Sequence, residues 1–378
     1  MLILAVILAI FVYGMVAATL GTILPNLSER FGLTPSQNGS IAFAQALGLI
    51  LASLAVGPLL DAEGKKVGLV LGLSLILIAL AALPRSPGYR TLILLMFILG
   101  MGGGIVITGA NALASDVGGV HRGSVLNLVN LFFGLGGFVT PFLAANLFGK
   151  NWIRLCYSIA GFTAVTLACE IATRIPAPVA QNTSSFAGAG HLLQQPVLLL
   201  LGFFLFLYVS CEVGVWNWLP QHLIAQGIPE SRALNVLSVG FALGLLIGRV
   251  LVSPVLMHVP ATVVLLFASA AMAVTSYLML RTRKPGVALA LVAVAGVSMA
   301  PVFPTTLAVV GDMFPAVTGT AIGFAITCGW IGLAVSSRMI GGIAGGDPLR
   351  LRKALLVIPA SAVLMVVLSL IMIASHIT

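Results

Sequence analysis

The sequence predicts an all-α membrane protein: twelve transmembrane helices in two pseudo-symmetric six-helix bundles. Three observations predict it. The 378 residues are 60% hydrophobic and 7% charged, with a mean hydropathy of +1.17, whereas a soluble domain carries about 25% charged residues to face water. Apolar stretches long enough to cross the hydrocarbon, about 20 residues as a helix, recur twelve times between short connections. Finally, the first half is written again in the second about 195 residues later.

In order, the expected spans are 1–24, 38–60, 67–83, 91–113, 123–147, 151–173, 196–219, 233–256, 261–280, 287–310, 319–343 and 354–377. Each is read as a helix because the bilayer core offers no water to a backbone N–H or C=O, which must be satisfied within the segment. The apolar N-terminus lacks a basic leader, so it is expected to be the first span and not a signal peptide. The polar stretch from Arg174 to Gln195, with its Pro, Gln, Asn and Ser content, is the expected cytoplasmic linker between bundles 1–173 and 196–378. The sequon Asn182-Thr183-Ser184 falls in that linker and is read as chance.

The repeat is specific. Leu24-Pro25, Gly32 and Ser36 recur as Leu219-Pro220, Gly227 and Ser231, and Gly134 and Gly137 recur as Gly329 and Gly332. The run Ala46 to Leu60 (ALGLILASLAVGPLL) returns as Ala242 to Leu256 (ALGLLIGRVLVSPVL). A same-sense repeat of a multi-helix unit implies two bundles related by an axis along the membrane normal. Pro58 and Pro254 are then expected in equivalent places.

Other classes are poorly served by this composition. The net charge of +9 is spread over many turns with no basic run interleaved with aromatics, so nucleic acid is not an expected partner. Cys156, Cys169, Cys211 and Cys328 all lie in expected spans, where they act as small hydrophobes. No HExxH, GxSxG or Cys/His cluster is present, so no enzyme, metal site or cofactor is expected. Gly100 with Gly104, and Gly341 with Gly345, have the small-xxx-small spacing of packed helices and not of a phosphate loop.

After the second span the chain reads Gly57-Pro58-Leu59-Leu60-Asp61-Ala62-Glu63-Gly64-Lys65-Lys66. Gly57 permits close helix approach, Gly64 makes the turn, and Asp61 can sit against a helix N-terminus or a cation. This run resembles the signature loop of the major facilitator superfamily, which implies the twelve-helix major facilitator fold and an inner gate. Asp61, Gly64 and Lys65 are its expected members, with Arg122 as a partner for Asp61 and Arg249 paired with Asp312. A solvated turn is the plainer reading of the same residues. Met257 stands at the place of Asp61 in the second half, so the gate contact is one-sided.

Sidedness draws two opposed arguments. The resemblance puts the Asp61 turn and both termini in the cytoplasm. By the spans above, however, inner loops hold only Lys65, Lys66, Arg122 and Arg174, while twelve basic residues, from Arg30 to Lys353, fall on outer turns. The positive-inside rule predicts the reverse. The loop signature is followed because it is tied to the fold.

Ionisable residues within spans are costly, about 3 kcal/mol at the bilayer centre on insertion scales, and must face the bundle interior. Glu212 is the leading one. Tyr208, Glu212, Trp216 and Leu219 share a face at spacings of four and three, with Gly214 and Pro220 weakening the helix beyond. Glu212 is the candidate cation-coupling group, and a structural carboxylate bonded to neighbouring helices is the alternative. Gln45, Asn111, Asn127, Asn130 and Asn217, with Tyr208, Trp216, Trp218 and Trp330, form the candidate substrate set. Amides donate and accept for hydroxyls and indole faces cover a sugar ring, though such amides also hold helices together. Glu170 is read as a helix-end partner of Arg174, and Arg338 as either an anion contact or a snorkelling cation.

The segment LYVSCEVGVWNWLPQHL, the run GVSMAPVFPTTLAVVGDMFP with TGTAIGFAITCGWIG, and LNLVN with its glycines are similar to the fucose/proton symporter branch and its sodium/glucose relatives. The resemblance implies cation-driven uptake of a sugar by alternating access around a central cavity, in a multi-pass protein of the bacterial inner membrane. It also marks a departure. Fucose symporters carry a Glu just before the Thr of a Thr-x-x-Asn element in helix four, and here Ile107 precedes Thr108-Gly109-Ala110-Asn111. The expected partners are therefore a small polar solute, a sugar first, membrane lipid, and a coupling ion that is H+ or Na+. The chain is expected to be monomeric. A drug/proton antiporter of the same fold is the alternative.

Overall fold

The computed structural model describes residues 2–148, 151–175, 192, 194–229, 233, 236–282, 285–344 and 348–377. Most of the 174–195 linker, the sequon, Lys150, Ser231, Arg232, Arg283, Lys284 and Gly345 lie outside the described residues. Among those described, every element is helical. In chain order they are α1 (Leu2–Phe31), α2 (Pro35–Ala62), α3 (Lys65–Ala82), α4 (Tyr89–Gly118), α5 (Arg122–Phe142), α6 (Trp152–Ala172) and α7 (Pro196–Ala225). There follow α8 (Leu243–Val255), α9 (Ala261–Arg281), α10 (Pro285–Met299), α11 (Val302–Met313), α12 (Thr318–Ala344), α13 (Pro348–Ala354) and α14 (Val357–Ala374).

These helices map onto the twelve expected spans, with four local departures, the first a π-helical turn, Leu143–Leu147, that ends the fifth span after α5. A π-helical turn, Val236–Ala242, leads into α8. The tenth span divides into α10 and α11 at Ala300-Pro301, because proline has no N–H to donate and disfavours helix in the residue before it. A turn at Leu355-Leu356 sets the short α13, nearly all of which precedes the expected start at 354, apart from α14, which fills the twelfth span. Ten helical stretches have the length and hydropathy to cross a membrane; one of them, Tyr89–Phe142, holds both α4 and α5, and Gly240–Val255 is a shorter apolar helix. That accounts for twelve crossings. α1 continues through Pro25 to Phe31, beyond its expected end. α2 starts sharply because Thr34 and Gln37 form a capping box, each side chain accepting from the other's backbone N–H at 3.3 and 2.9 Å.

The chain resolves into two compact units. Unit 1 comprises Met1–Val117, Val129–Leu193 and Phe314–Thr327; unit 2 comprises Gly118–Leu128, Gln194–Met313 and Cys328–Thr378. Inside unit 1, α2 meets α4 backbone to backbone: a Cβ on Gly48 would strike the Phe97 carbonyl, and one on Gly100 the Gln45 carbonyl. Inside unit 2, Gly244 meets the Ala293 carbonyl and Gly296 that of Phe241. Each residue of the second set is its counterpart plus 196, and Gly104 over Ala52 is matched by Ala300 over Gly248. The repeat is thus a repeat of helix contacts.

A second pair shows the same contact built differently. Gly14 of α1 lies against the Phe133 carbonyl of α5, while in unit 2 Val209 of α7, the counterpart of Gly14, lies against Gly329 of α12, with the glycine on the other helix. Close approach needs one small residue, on either side. Gly32 and Gly227, paired in the repeat, both follow their helices with positive φ, +58° and +85°, the left-handed stop that glycine adopts without strain. Gly48→Leu is expected to cost about 1–3 kcal/mol by overpacking, read as a lowered thermal unfolding midpoint in detergent. Gly161→Leu, at a site open to the surroundings, should leave the midpoint unchanged.

Candidate functional site

The GPLLDAEGKK turn lies between α2 and α3, with Gly64 at φ +94° capping α3. Asp61, its side chain 3% exposed, receives the backbone N–H groups of Gly319 and Thr320, both at 2.8 Å, and the Thr320 hydroxyl at 2.7 Å. Its carboxylate therefore caps the first turn of α12, where unpaired N–H groups and the helix dipole favour a negative charge. Two glycines make the approach possible. A Cβ on Gly57 would overlap Thr320 backbone, and one on Gly319 would meet Asp61 Oδ1 at 2.7 Å. All these residues belong to unit 1.

Lysines extend the cluster in two directions. Lys65 lies 3.5 Å from Asp61 and 3.1 Å from Asp116, and Asp116 also accepts from Thr318 Oγ1 at 2.9 Å. Lys66 instead donates to the carbonyls of Ile171 and Thr173, at 2.7 and 2.9 Å, closing the C-terminal end of α6 with a cation where the dipole is negative. Nothing near Lys66 in the chain hints at this partner, which lies more than a hundred residues away.

The expected pairings of Arg122 and Arg249 are corrected. Arg122, the first residue of α5, pairs with Asp312 near the end of α11, because Asp61 is already committed to the α12 N-terminus. Arg249, buried on α8 at 5% exposure, stands within Coulombic reach of Glu212 and Tyr208. Glu170 is fully buried, with neither carboxylate oxygen hydrogen-bonded, and its charged neighbour is Lys66. Arg174 is exposed and does not pair with it. Arg338 is exposed on α12 with no carboxylate partner among the described residues.

The amides separate into two kinds. In unit 1, Asn130 Nδ2 donates to Asn111 Oδ1 at 2.7 Å while Asn111 Nδ2 donates to the Ile107 carbonyl at 2.8 Å. This buried pair ties α4 to α5. Gln45 is half-buried on α2 with no side-chain hydrogen bond. In unit 2, Asn127 donates to the Gly123 carbonyl and to Thr305 Oγ1, at 2.9 and 3.0 Å, on the segment that follows the Ala300-Pro301 break. Its Oδ1 is buried and without a donor. Asn217 is exposed and donates weakly to Ser337 at 3.4 Å.

Glu212 is half-buried near the middle of α7. Tyr208 and Trp216, one turn before and one turn after, are its polar neighbours, and Arg249 supplies the opposing charge. The Tyr208 hydroxyl faces the carboxylate but is buried without a hydrogen bond of normal geometry. Trp216 is 36% exposed and meets Phe241 of the π-helical turn edge-on, ring centres 5.3 Å apart. Such π turns often mark functional positions. Trp218 rests against Gly341, and the indole N–H groups of Trp218 and Trp330 are buried and unpartnered. Around Glu212, unit 2 thus brings one carboxylate near one cation, Arg249, and elsewhere in the same unit several buried polar atoms have no hydrogen-bond partner.

The chain matches the family model "Major Facilitator Superfamily" over residues 6–337. It belongs to that superfamily. One relative, Bypass of stop codon protein 6 of Saccharomyces cerevisiae, is 24% identical over 277 residues; the match covers 65% of this chain and only 55% of that protein. The Glucose/mannose transporter GlcP of Bacillus subtilis is 25% identical over 347 residues, 88% of this chain and 85% of that one. Among solved structures, the superfamily transporter FucP in the outward conformation, the E. coli fucose:proton symporter, superposes with a TM-score of 0.85 at 17% identity over 98% of both chains. At that identity the superposition establishes the fold alone, the twelve-helix major facilitator fold, and the many apolar spans make this superfamily member a multi-pass membrane protein.

Proposed function

We propose that this superfamily member is a secondary active sugar transporter that works by alternating access and is driven by a cation, H+ or Na+, taken up at Glu212. The observation that carries the reading is Glu212 itself, the one acid near the middle of a spanning helix among the described residues. A carboxylate there is neutralised by a proton or by bound Na+, and either event changes its attraction to Arg249. The sugar reading draws support from the glucose/mannose transporter relative and from the fold shared with a fucose:proton symporter. Asn127 Oδ1 and the Trp218 and Trp330 indole N–H groups are the groups we assign to solute hydroxyls, with Trp216 and Tyr208 covering an apolar ring face. Asp61, Lys65 and Asp116, with Arg122 and Asp312 as a separate pair, are assigned to gating, and Arg249 moves from the gate to the coupling site. We assign both termini to the cytoplasmic side of a bacterial inner membrane, a reading the loop signature supports, with a single chain as the working unit.

A ligand bound to the folded state alone stabilises it, by about 2.7 kcal/mol at a hundredfold excess over Kd. Purified full-length protein screened against D-glucose, D-mannose, L-fucose and D-xylose, with and without Na+ and across pH, should therefore show a raised unfolding midpoint with at least one of them. Dependence of that shift on Na+ or on acid pH identifies the ion. Stabilisation by lipophilic cations with none by any monosaccharide would replace the sugar reading with drug export.

A further inference from the structure

Unit 2 carries, on α9 and α14, an outward-facing groove of 440 Å³ whose walls are apolar: Val274, Tyr277 and Leu278 on one side, Leu356, Pro359 and Val363 on the other. Exposed apolar surface alone is ordinary for a spanning helix. What distinguishes this groove is the charge at its end. The Tyr277 hydroxyl accepts two hydrogen bonds from Arg281, at 3.1 and 2.8 Å, so this exposed guanidinium is held one turn beyond the groove wall. Lys353, also exposed, precedes Leu356 by one turn on the other side. The sequence stretches 281–284 and 347–353 together contain six Lys or Arg and one acid, Asp347.

We propose that the groove is a binding site for one anionic phospholipid, its acyl chain between α9 and α14 and its phosphate against Arg281 and Lys353. An apolar slot ending in a pinned guanidinium and a lysine matches a molecule that is apolar along its length and negative at one end. A zwitterionic lipid adds an ammonium that cancels the attraction. The site is independent of the sugar reading and lies outside the Glu212 cluster. It also gives a use to basic residues that the positive-inside rule leaves unexplained.

The test uses purified full-length protein in neutral detergent titrated with dioleoylphosphatidylglycerol or dioleoylphosphatidylcholine, read as the thermal unfolding midpoint and as retained lipid in native mass spectrometry. The expected result is saturable stabilisation and one retained phosphatidylglycerol, with no matching effect of phosphatidylcholine. Arg281→Gln with Lys353→Gln should weaken the phosphatidylglycerol response roughly thirtyfold, at about 1 kcal/mol per cation near a lipid surface. Arg281→Lys should retain most of the response, and Ala360→Trp, which fills the groove, should abolish it with both cations intact. Equal responses to the two lipids in the wild-type protein would overturn the proposal, a result that does not depend on any variant folding. So would an undiminished response in the double variant, or an equal response to glycerol 3-phosphate, which would leave the groove without a role.

Discussion

Glu212→Gln is expected to abolish gradient-driven accumulation of the solute in proteoliposomes while leaving counterflow exchange within about twofold of wild type. Glutamine keeps the shape and hydrogen-bonding reach of the carboxyl group but cannot take up and release a proton, nor present a full charge to Na+. Counterflow needs only binding and reorientation of the loaded carrier, which the neutral side chain permits. Net accumulation also needs the empty carrier to return with its cation discharged, and that step requires the ionised carboxylate beside Arg249. The substitution leaves the buried Arg249 with less opposing charge, which is destabilising, so rates are referred to folded protein. If the variant still concentrates its solute, Glu212 is structural. Asp116 and Asp312 are the next acids, but each already holds a cation in Lys65 and Arg122.

Asp61→Asn carries the second large effect. Asp61 accepts three hydrogen bonds at the N-terminal turn of α12, and a negative charge in a partly buried helix cap is worth up to about 2 kcal/mol. Loss of that charge shifts the population of the latched state by roughly thirtyfold. Turnover in a liposome uptake assay should fall about tenfold or more, because each cycle must re-form the contact, while solute affinity measured by thermal shift stays within about twofold. Unchanged turnover would remove Asp61 from the gate and leave it a helix cap only.

Much of the architecture was legible because a bilayer imposes so few solutions. Hydropathy located all twelve crossings, and the offset repeat of Ala46–Leu60 as Ala242–Leu256, which pairs Gly48 with Gly244, pointed to contacts that recur in the two units. The interruptions were not legible in advance. The run through Ala300 and Pro301 is as apolar as an unbroken helix, and only local geometry shows where proline divides it. The partners of charged residues were harder still. Arg122, Arg249 and Asp312 were the right kind of residue for ion pairs, but which cation meets which acid depends on helix rotation and depth, and composition is silent on both. Asp61 could be read as the partner of a helix N-terminus or of a cation, and it meets both, though the cation is Lys65 and not Arg122; the acceptors of Lys66 at Ile171 and Thr173 are backbone carbonyls with no sequence signature. Glu170 was misread for a related reason: its spacing to Arg174 suits a helix-surface pair, yet burial turns its side chain away from that residue.

The claim that Glu212 couples the cation to the sugar is tested most directly by electrophysiology on proteoliposomes adsorbed to a solid support. A jump in the concentration of the monosaccharide found in the thermal-shift screen is applied with no ion gradient imposed. The wild-type protein should give a transient inward current that depends on H+ or Na+, and Glu212→Gln should give none although it still binds the sugar. A sugar-evoked current of wild-type size in the variant would contradict the account.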